Sequence, residues 1–132
     1  MAAAAARGQH LHMSARVLIV DDHESFRSVA RRLLVADGFA VVGEAANGAA
    51  AIAAALDLRP DVVLLDVALP DIDGFAVAVA LAAQDVPPAV VLVSSRARAD
   101  YGGQLGASPV RGFIAKSELS GDALRSLLPR SA

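Results

Sequence analysis

Short runs of branched apolar residues alternate along the chain with longer segments in which apolar residues recur every three or four positions. A short apolar run of this kind predicts a strand buried on both faces, and the longer recurrence predicts an amphipathic helix. We predict strands over residues 15–20, 40–44, 61–66, 89–94 and 111–115. We predict helices over residues 24–37, 47–58, 75–84, 98–107 and 120–128, with Asn47 and Ser120 as the N-caps of the second and the last.

This alternation predicts an α/β fold, because strands buried on both faces need helices on both sides of a parallel sheet. Right-handed crossovers leave few arrangements, and five strand–helix units favour the order 2-1-3-4-5. We therefore expect one doubly wound, five-stranded parallel sheet with five helices. The fourth helix is weak, because Gly102, Gly103 and Gly106 each cost about 1 kcal/mol relative to alanine.

The composition fits one small domain and excludes several kinds of protein. The chain has 132 residues, 55% of them hydrophobic and 4% aromatic, so the core must be aliphatic. A net charge of −2 offers no basic field for nucleic acid. The absence of cysteine excludes disulfides, zinc–thiolate sites and cysteine nucleophiles. Apolar runs well short of the ~18 residues of a membrane span predict a cytoplasmic protein outside the membrane.

Residues 1–13 do not share the pattern of the rest. Their alanine run and the following Arg-Gly-Gln-His-Leu-His have no strand or helix periodicity and lack the features of a signal peptide. We expect residues 1–13 to form a disordered tail, such as a tag or an extension before a natural start at Met13. Residues 14–132 would form the domain. His10 and His12 could bind a metal, but a disordered tail is the preferred interpretation.

Polar residues stand where the predicted strands end. The first strand ends at Asp21 and Asp22, the third at Asp66 and the fourth at Ser94, and the fifth runs into Lys116. Ligands of such sheets bind beyond the carboxyl ends of the strands, and neighbouring strands lie about 4.8 Å apart. Three carboxylates this close repel one another unless a cation neutralises them. Oxygen ligands in a shallow polar site favour Mg²⁺.

Lys116 is the only lysine of the chain, beside eleven arginines. Its compact ammonium can approach a carboxylate or a phosphate closely. A metal, a carboxylate, a hydroxyl and an ammonium together suit phosphoryl transfer onto Asp66, where catalysis is positioning plus charge neutralisation. Each residue alone also has an ordinary interpretation, as a helix cap, a loop carboxylate, a strand-end hydroxyl or a solvated charge. Their convergence at one edge of the sheet favours the site.

Other phosphate and metal motifs do not fit. The segment from Asp71 to Gly74 resembles the DxDG motif of haloacid-dehalogenase-type phosphatases, but its first aspartate follows Leu69-Pro70 and does not end a strand. The segment is not a calcium-binding loop either. With Gly74 at the sixth position of such a loop, the first ligand would be Leu69, which has no side-chain oxygen. The chain has neither G-x-G-x-x-G nor a phosphate-loop lysine motif, and a nucleotide site is therefore unsupported.

The chain from about Ser14 to Leu128 resembles the receiver domain of bacterial two-component response regulators, a flavodoxin-like, CheY-like fold. The resemblance rests on four stretches in the expected order and spacing: Val17 to Asp22, Val62 to Gly74, Val90 to Ser95 and Gly112 to Lys116. The segments 94–96 and 116–119 are most similar to receivers of the LuxR/NarL-type class, which usually precede a helix-turn-helix.

The resemblance implies an acceptor and a metal site. Asp66 would accept a phosphoryl group from the phosphohistidine of a sensor histidine kinase. Asp21, Asp22 and Asp66 would hold Mg²⁺ together with the backbone carbonyl of Ala68. Since Ala68 is small, it would not shield the phosphoryl group from water.

It also implies a switch and partners. Ser94 would turn to hydrogen-bond the phosphoryl group, Lys116 would pair with it, and Phe113 would change rotamer as Ser94 moves; core packing is the alternative for Phe113.

Helix one and the loop after Lys116 would dock the kinase. The face of helix four, strand five and helix five would bind an effector domain or a second copy. The domain itself would bind no nucleic acid. It would be a signalling domain that catalyses only its own phosphorylation and dephosphorylation, not an enzyme.

The chain departs from the family pattern in two further places. Ser117 stands where the family often has a cis proline, and a non-proline cis bond costs about 3 kcal/mol or more, so we do not expect one. Pro109-Val110 replaces the usual Gly-Ala before strand five. Together with Gly102, Gly103 and Gly106, this replacement predicts a mobile or partly unwound helix four. We therefore do not assume that the domain has the standard dimer face.

Two alternatives remain open beside a phosphorylatable receiver. One is a pseudo-receiver, an interaction module that never takes phosphate; the intact set of site residues argues against it. The other is a phosphatase that uses Asp66 as nucleophile, which would need a cap domain to hold a substrate. The chain would be either a single-domain regulator or the receiver part of a longer one.

Overall fold

The computed structural model describes residues 14–129 and has the predicted architecture. The strands are β1 (Arg16–Val20), β2 (Ala40–Ala45), β3 (Val62–Asp66), β4 (Ala89–Ser94) and β5 (Gly112–Ala115). The helices are α1 (Glu24–Ala36), α2 (Gly48–Leu58), α3 (Gly74–Ala82), α4 (Gly103–Ala107) and α5 (Gly121–Leu127). All strands pair in parallel, in the order β2-β1-β3-β4-β5. The predicted fold class and strand order are confirmed.

The sheet separates two apolar layers. Ala51 of α2 and Leu81 of α3 belong to one buried cluster, which also includes Phe113 of β5. Leu34 of α1 and Leu124 of α5 belong to the other. Side chains of successive strand residues point to opposite faces, so strands such as β3 bury every residue. This explains the unbroken apolar runs of the sequence.

Two predicted helix caps are confirmed. The side chain of Asn47 accepts a hydrogen bond from Ala50 N–H at the start of α2. Ser120 does the same for Ala123 N–H at the start of α5. Such caps satisfy N–H groups that the helix itself leaves free.

The predicted fourth helix is broken, which confirms the expectation that it is partly unwound. Arg98–Tyr101 form a 3-10 turn, and a five-residue helix, α4, follows from Gly103. Gly102 between them has a φ of +52°, a conformation that favours glycine. A second 3-10 turn, Lys116–Glu118, follows β5 and was not predicted. The structure has no cis peptide bond among the described residues, as expected at Ser117.

The expected disordered tail at residues 1–13, with His10 and His12, lies outside the described residues. Within residues 14–129 no helix combines the length and hydrophobicity of a membrane-spanning segment.

Candidate functional site

Three buried polar side chains of residues 14–129 lie at the same edge of the sheet. They are Asp21, Asp66 and Ser94, which are 0%, 3% and 3% exposed. Asp21 follows β1, whereas Asp66 and Ser94 are the last residues of β3 and β4. Asp66 pairs in register with Val93, so Ser94 stands one residue further along the neighbouring strand. The predicted convergence of Asp21, Asp66 and Ser94 at one edge of the sheet is therefore observed.

Lys116 lies between the two buried carboxylates. Its ammonium nitrogen is 2.6 Å from Oδ2 of Asp21 and 3.4 Å from Oδ2 of Asp66. The contact with Asp66 is a hydrogen bond. The closer contact with Asp21 is an ion pair, but it lacks hydrogen-bond geometry, and this Oδ2 has no hydrogen-bond partner among the described residues. One ammonium thus faces two buried carboxylates, and a net negative charge remains in the site.

The crowding changes the pKa values of these groups. Burial, together with the negative charge of Asp21, raises the pKa of Asp66 above its ordinary value, although Ala68 N–H and Lys116 oppose the rise. Burial by itself would lower the pKa of Lys116, but the close contacts of its ammonium with the carboxylates of Asp21 and Asp66 outweigh this effect and raise that pKa. Lys116 therefore stays charged at neutral pH.

Two further residues complete an acidic pocket. Asp22 is more exposed than Asp21, and His23 is mostly exposed. The Nδ1 atom of His23 lies 3.1 Å from a carboxylate oxygen of each aspartate. Ligand atoms of Asp21, Asp22, His23 and Asp66 all lie within 4.8 Å of one another. His23 was not predicted as a site residue, although it directly follows the aspartate pair in the sequence.

This pocket fits a hard divalent cation. Three of its four potential ligands are carboxylates, which Mg²⁺ prefers to nitrogen ligands. Lys116 alone faces the buried carboxylates of Asp21 and Asp66, so a further cation would balance the negative charge that remains.

The loop after Asp66 is fixed by hydrogen bonds within itself and to the Asp66 side chain. Gly74 N–H donates to the carbonyl of Val67, and Ala68 N–H donates to Oδ1 of Asp66, at 2.7 Å and 3.2 Å. A Cβ on Gly74 would lie 2.5 Å from the backbone oxygen of Asp66, which explains the glycine of the rejected DxDG motif. The loop thereby orients the Asp66 carboxylate.

Asp71 ties this loop to a neighbouring helix. Its two carboxylate oxygens accept hydrogen bonds from Gly48 N–H and Ala49 N–H, at 2.7 Å and 2.9 Å. These bonds, that from Ala49 first, lower the pKa of Asp71. An aspartate from outside the helix therefore caps the N-terminus of α2.

Ser94 is buried, and its hydroxyl contacts another element. The oxygen accepts a hydrogen bond from Arg96 N–H and lies 2.5 Å from the hydroxyl of Tyr101. Neither partner is Asp66. Tyr101 was not predicted as a site residue; it is the only tyrosine of the chain, but no spacing rule connects it to Ser94.

Phe113 lies in the core at 7% exposure, as its core-packing interpretation predicts. The ring centroid of Phe113 is 5.8 Å from that of Tyr101. The Arg98 guanidinium lies 5.6 Å from the Phe113 centroid. Lys116 has an aromatic neighbour of its own, because its nitrogen lies 4.7 Å from the ring centroid of Phe26 on α1. The site is thus backed by aromatic side chains.

Comparison with known proteins gives consistent matches. A family model described as the response regulator receiver domain matches residues 17–128. The transcriptional regulatory protein NarL of Mycobacterium tuberculosis is 35% identical over 114 residues, 86% of this chain and 53% of that protein. The solved signal receiver domain of the response regulator NarL from Mycobacterium tuberculosis has a TM-score of 0.78 and 34% identity, and the match covers 89% of this chain and 98% of that one.

A protein-glutamate methylesterase/protein-glutamine glutaminase of Anaeromyxobacter dehalogenans is 44% identical over 109 residues, 80% of this chain and 30% of that protein. The chain spans about half the length of the NarL relative and less than a third of the methylesterase.

Proposed function

The chain belongs to the response regulator receiver domain family, and on this premise we propose that Asp66 accepts a phosphoryl group from a sensor histidine kinase in a Mg²⁺-dependent reaction. The observation that carries the proposal is the buried Asp66 carboxylate at the end of β3, with Lys116 and Asp21 beside it. Such a site can neutralise the charge that a phosphoryl group brings.

In this reaction a carboxylate oxygen of Asp66 forms a bond to phosphorus. The bond between phosphorus and the kinase histidine nitrogen breaks, and its electron pair leaves with the imidazole. Lys116 holds the Oδ2 side of Asp66 and would pair with the transferred group. Ala68 N–H holds Oδ1, so the loop limits the rotation of the carboxylate. The residues are positioned before the phosphoryl donor arrives.

The proposed metal ligands are the carboxylates of Asp21, Asp22 and Asp66, with the backbone carbonyl of Ala68. The close grouping of the three carboxylates supports their part in this set. When bound there, Mg²⁺ would neutralise charge on the phosphoryl oxygens.

The switch is proposed to run from Ser94 to the surface formed by segment 98–107, β5 and α5. The Ser94 hydroxyl would turn from its present partners toward the phosphoryl group, with a rotamer change of Phe113. That surface would bind an effector domain or a second copy of the chain. The similarity to NarL, a transcriptional regulatory protein, supports an effector domain that acts in transcription.

The domain is proposed to extend from residue 14, just before the matched region, to residue 132. The kinase would dock on α1 and the loop after Lys116, and this domain would lie in the cytoplasm. Val29 and Val35 of α1 are about half exposed, and they offer apolar contacts to such a partner.

The test is the intact mass after incubation with acetyl phosphate, with and without Mg²⁺. Wild type should gain about 80 Da, one phosphoryl group, only with Mg²⁺, and Asp66→Asn should gain nothing. Asp57→Asn is the matched control, because it removes an exposed helix carboxylate and should behave as wild type. No gain in folded wild type would instead favour the phosphorylation-independent interaction module.

A further inference from the structure

Tyr101 supplies the side-chain partner that Ser94 has in this structure. Its hydroxyl lies 2.5 Å from the Ser94 oxygen, which also accepts a hydrogen bond from Arg96 N–H. Phe113, the residue at the expected switch position, has no polar atom and cannot make this contact. A residue of the broken helical segment therefore holds the hydroxyl on which the proposed switch depends.

The tyrosine ring is also fixed by its neighbours. Its centroid lies 5.7 Å from the ring of Phe75 on α3 and 5.8 Å from that of Phe113 on β5. Both pairs are inclined, as aromatic contacts prefer. Tyr101 is thus placed between the helix that follows the Asp66 loop and the strand of the proposed output surface.

We propose that Tyr101 is a positioning residue, which holds the Ser94 hydroxyl in its resting orientation and releases it when Asp66 is phosphorylated. This proposal rests on the phosphoacceptor function. One rotamer step of a serine moves its oxygen by about 2 Å, which is more than a hydrogen bond can stretch. Ser94 also has a single hydroxyl proton, so donation to a phosphoryl oxygen ends any donation to Tyr101.

The release has a consequence for the backbone that follows. A half-buried hydroxyl that has lost its partner must find water or another acceptor, so the ring is driven to move. Gly102 comes next, at a φ of +52°, and a Cβ on Gly102, Gly103 or Gly106 would have no neighbour within 4 Å. These glycines therefore leave room for the segment from Arg98 to Ala107 to rearrange when Tyr101 leaves Ser94.

The single tyrosine makes the step measurable. With 3-fluorotyrosine incorporated, the full chain has one ¹⁹F resonance, which reports on the surroundings of Tyr101 alone. At rest, Ser94→Ala should shift this resonance, and Ser94→Thr, which keeps a hydroxyl, should restore it. Phosphorylation of wild type by acetyl phosphate and Mg²⁺ should shift it in the same direction as Ser94→Ala.

A kinetic arm uses unlabelled protein. Tyr101→Phe keeps the ring but frees the Ser94 hydroxyl, so it should gain the phosphoryl mass roughly two- to tenfold faster than wild type, the equivalent of one net hydrogen bond. Ser108→Ala is the matched control, because it removes a hydroxyl beside the same segment that bonds only to Gln104. Its rate should equal that of wild type.

The outcomes separate the two proposals. A wild-type chain that gains the phosphoryl mass while its fluorine resonance stays in place overturns the release of Tyr101 and leaves the phosphoacceptor function intact. So does a Ser94→Ala variant whose resonance equals that of wild type, or a Tyr101→Phe variant whose rate is unchanged. A folded chain that gains no mass overturns the phosphoacceptor function, and the release step with it.

Discussion

The ammonium nitrogen of Lys116 lies 2.6 Å from Oδ2 of Asp21, whereas it lies 3.4 Å from Oδ2 of Asp66. The lysine therefore pairs more closely with an aspartate of the proposed metal site than with the proposed phosphoacceptor. Both carboxylates are buried, and the charge of Lys116 reduces the repulsion between them. It also leaves the lysine within reach of a group attached to Asp66.

Lys116→Met should slow the gain of phosphoryl mass from acetyl phosphate by about ten- to a hundredfold, since it removes one charged hydrogen bond from the reaction centre. Arg111→Met, which removes an exposed cation next to β5, is the control and should react at the wild-type rate. Equal rates for Lys116→Met and wild type would contradict the role given to Lys116.

Asp66→Asn should stabilise the fold at pH 7. The raised pKa of Asp66 means that the native state binds a proton there more tightly than the unfolded chain does, so stability falls as pH rises through the ordinary carboxyl value to the raised one. The amide has the same shape without the charge. Thermal unfolding should give a higher Tm than wild type at pH 7, and the difference should close below about pH 4, where both forms are neutral. A lower Tm at pH 7 would refute this view of the site.

Asp71→Asn should destabilise the fold, with the opposite pH dependence. The lowered pKa of Asp71 means that its charge stabilises the native state, by hydrogen bonds to the N-terminus of α2. This contribution is present above the ordinary carboxyl pKa and is lost as pH falls through the lowered value. The Tm difference from wild type should thus persist at pH 5 and disappear in strong acid. Asp57→Asn, on the same helix but without such bonds, should show no difference at either pH.

Gly74→Ala should disturb both stability and phosphorylation. Its Cβ would lie 2.5 Å from the backbone oxygen of Asp66 and 2.7 Å from Cα of Val67, so the backbone behind the acceptor must shift. We expect a loss of about 1–3 kcal/mol in the free energy of unfolding, typical of overpacking, and slower phosphorylation by acetyl phosphate. Urea unfolding and intact mass check the two effects. Wild-type behaviour in both would show that the loop can move without cost.

Gly102→Ala and Gly106→Ala should change stability in opposite directions. Both positions have open space for a methyl group, but only Gly102 has a positive φ. Gly106→Ala should stabilise the fold by about 0.4–1 kcal/mol. Alanine allows the unfolded chain fewer conformations than glycine does, and it has a higher helix propensity within α4. Gly102→Ala should cost about 1–3 kcal/mol, since an L-residue is strained there. Urea unfolding of both variants is the measurement, and a stabilising Gly102→Ala would contradict the observed break.

The sequence alone was enough to predict the five strands, their order and the helix caps at Asn47 and Ser120. The physical reason is that strand burial, helix periodicity and capping are local patterns, and right-handed crossovers leave few ways to connect them. It also predicted that Asp21, Asp66, Ser94 and Lys116 meet, because residues at the carboxyl ends of parallel strands share one edge of the sheet.

Only the tertiary structure decided which of these groups touch, and through what. The pairing of Lys116 with Asp21, the capping of α2 by Asp71 and the contact between Ser94 and Tyr101 join residues on separate elements, at distances of a few ångströms. Periodicity and propensity describe each element by itself, whereas these contacts depend on how elements pack and on side-chain rotamers. The glycines predict a weak fourth helix. Only the tertiary structure shows that this helix breaks at Gly102 and that Tyr101 then lies against Ser94.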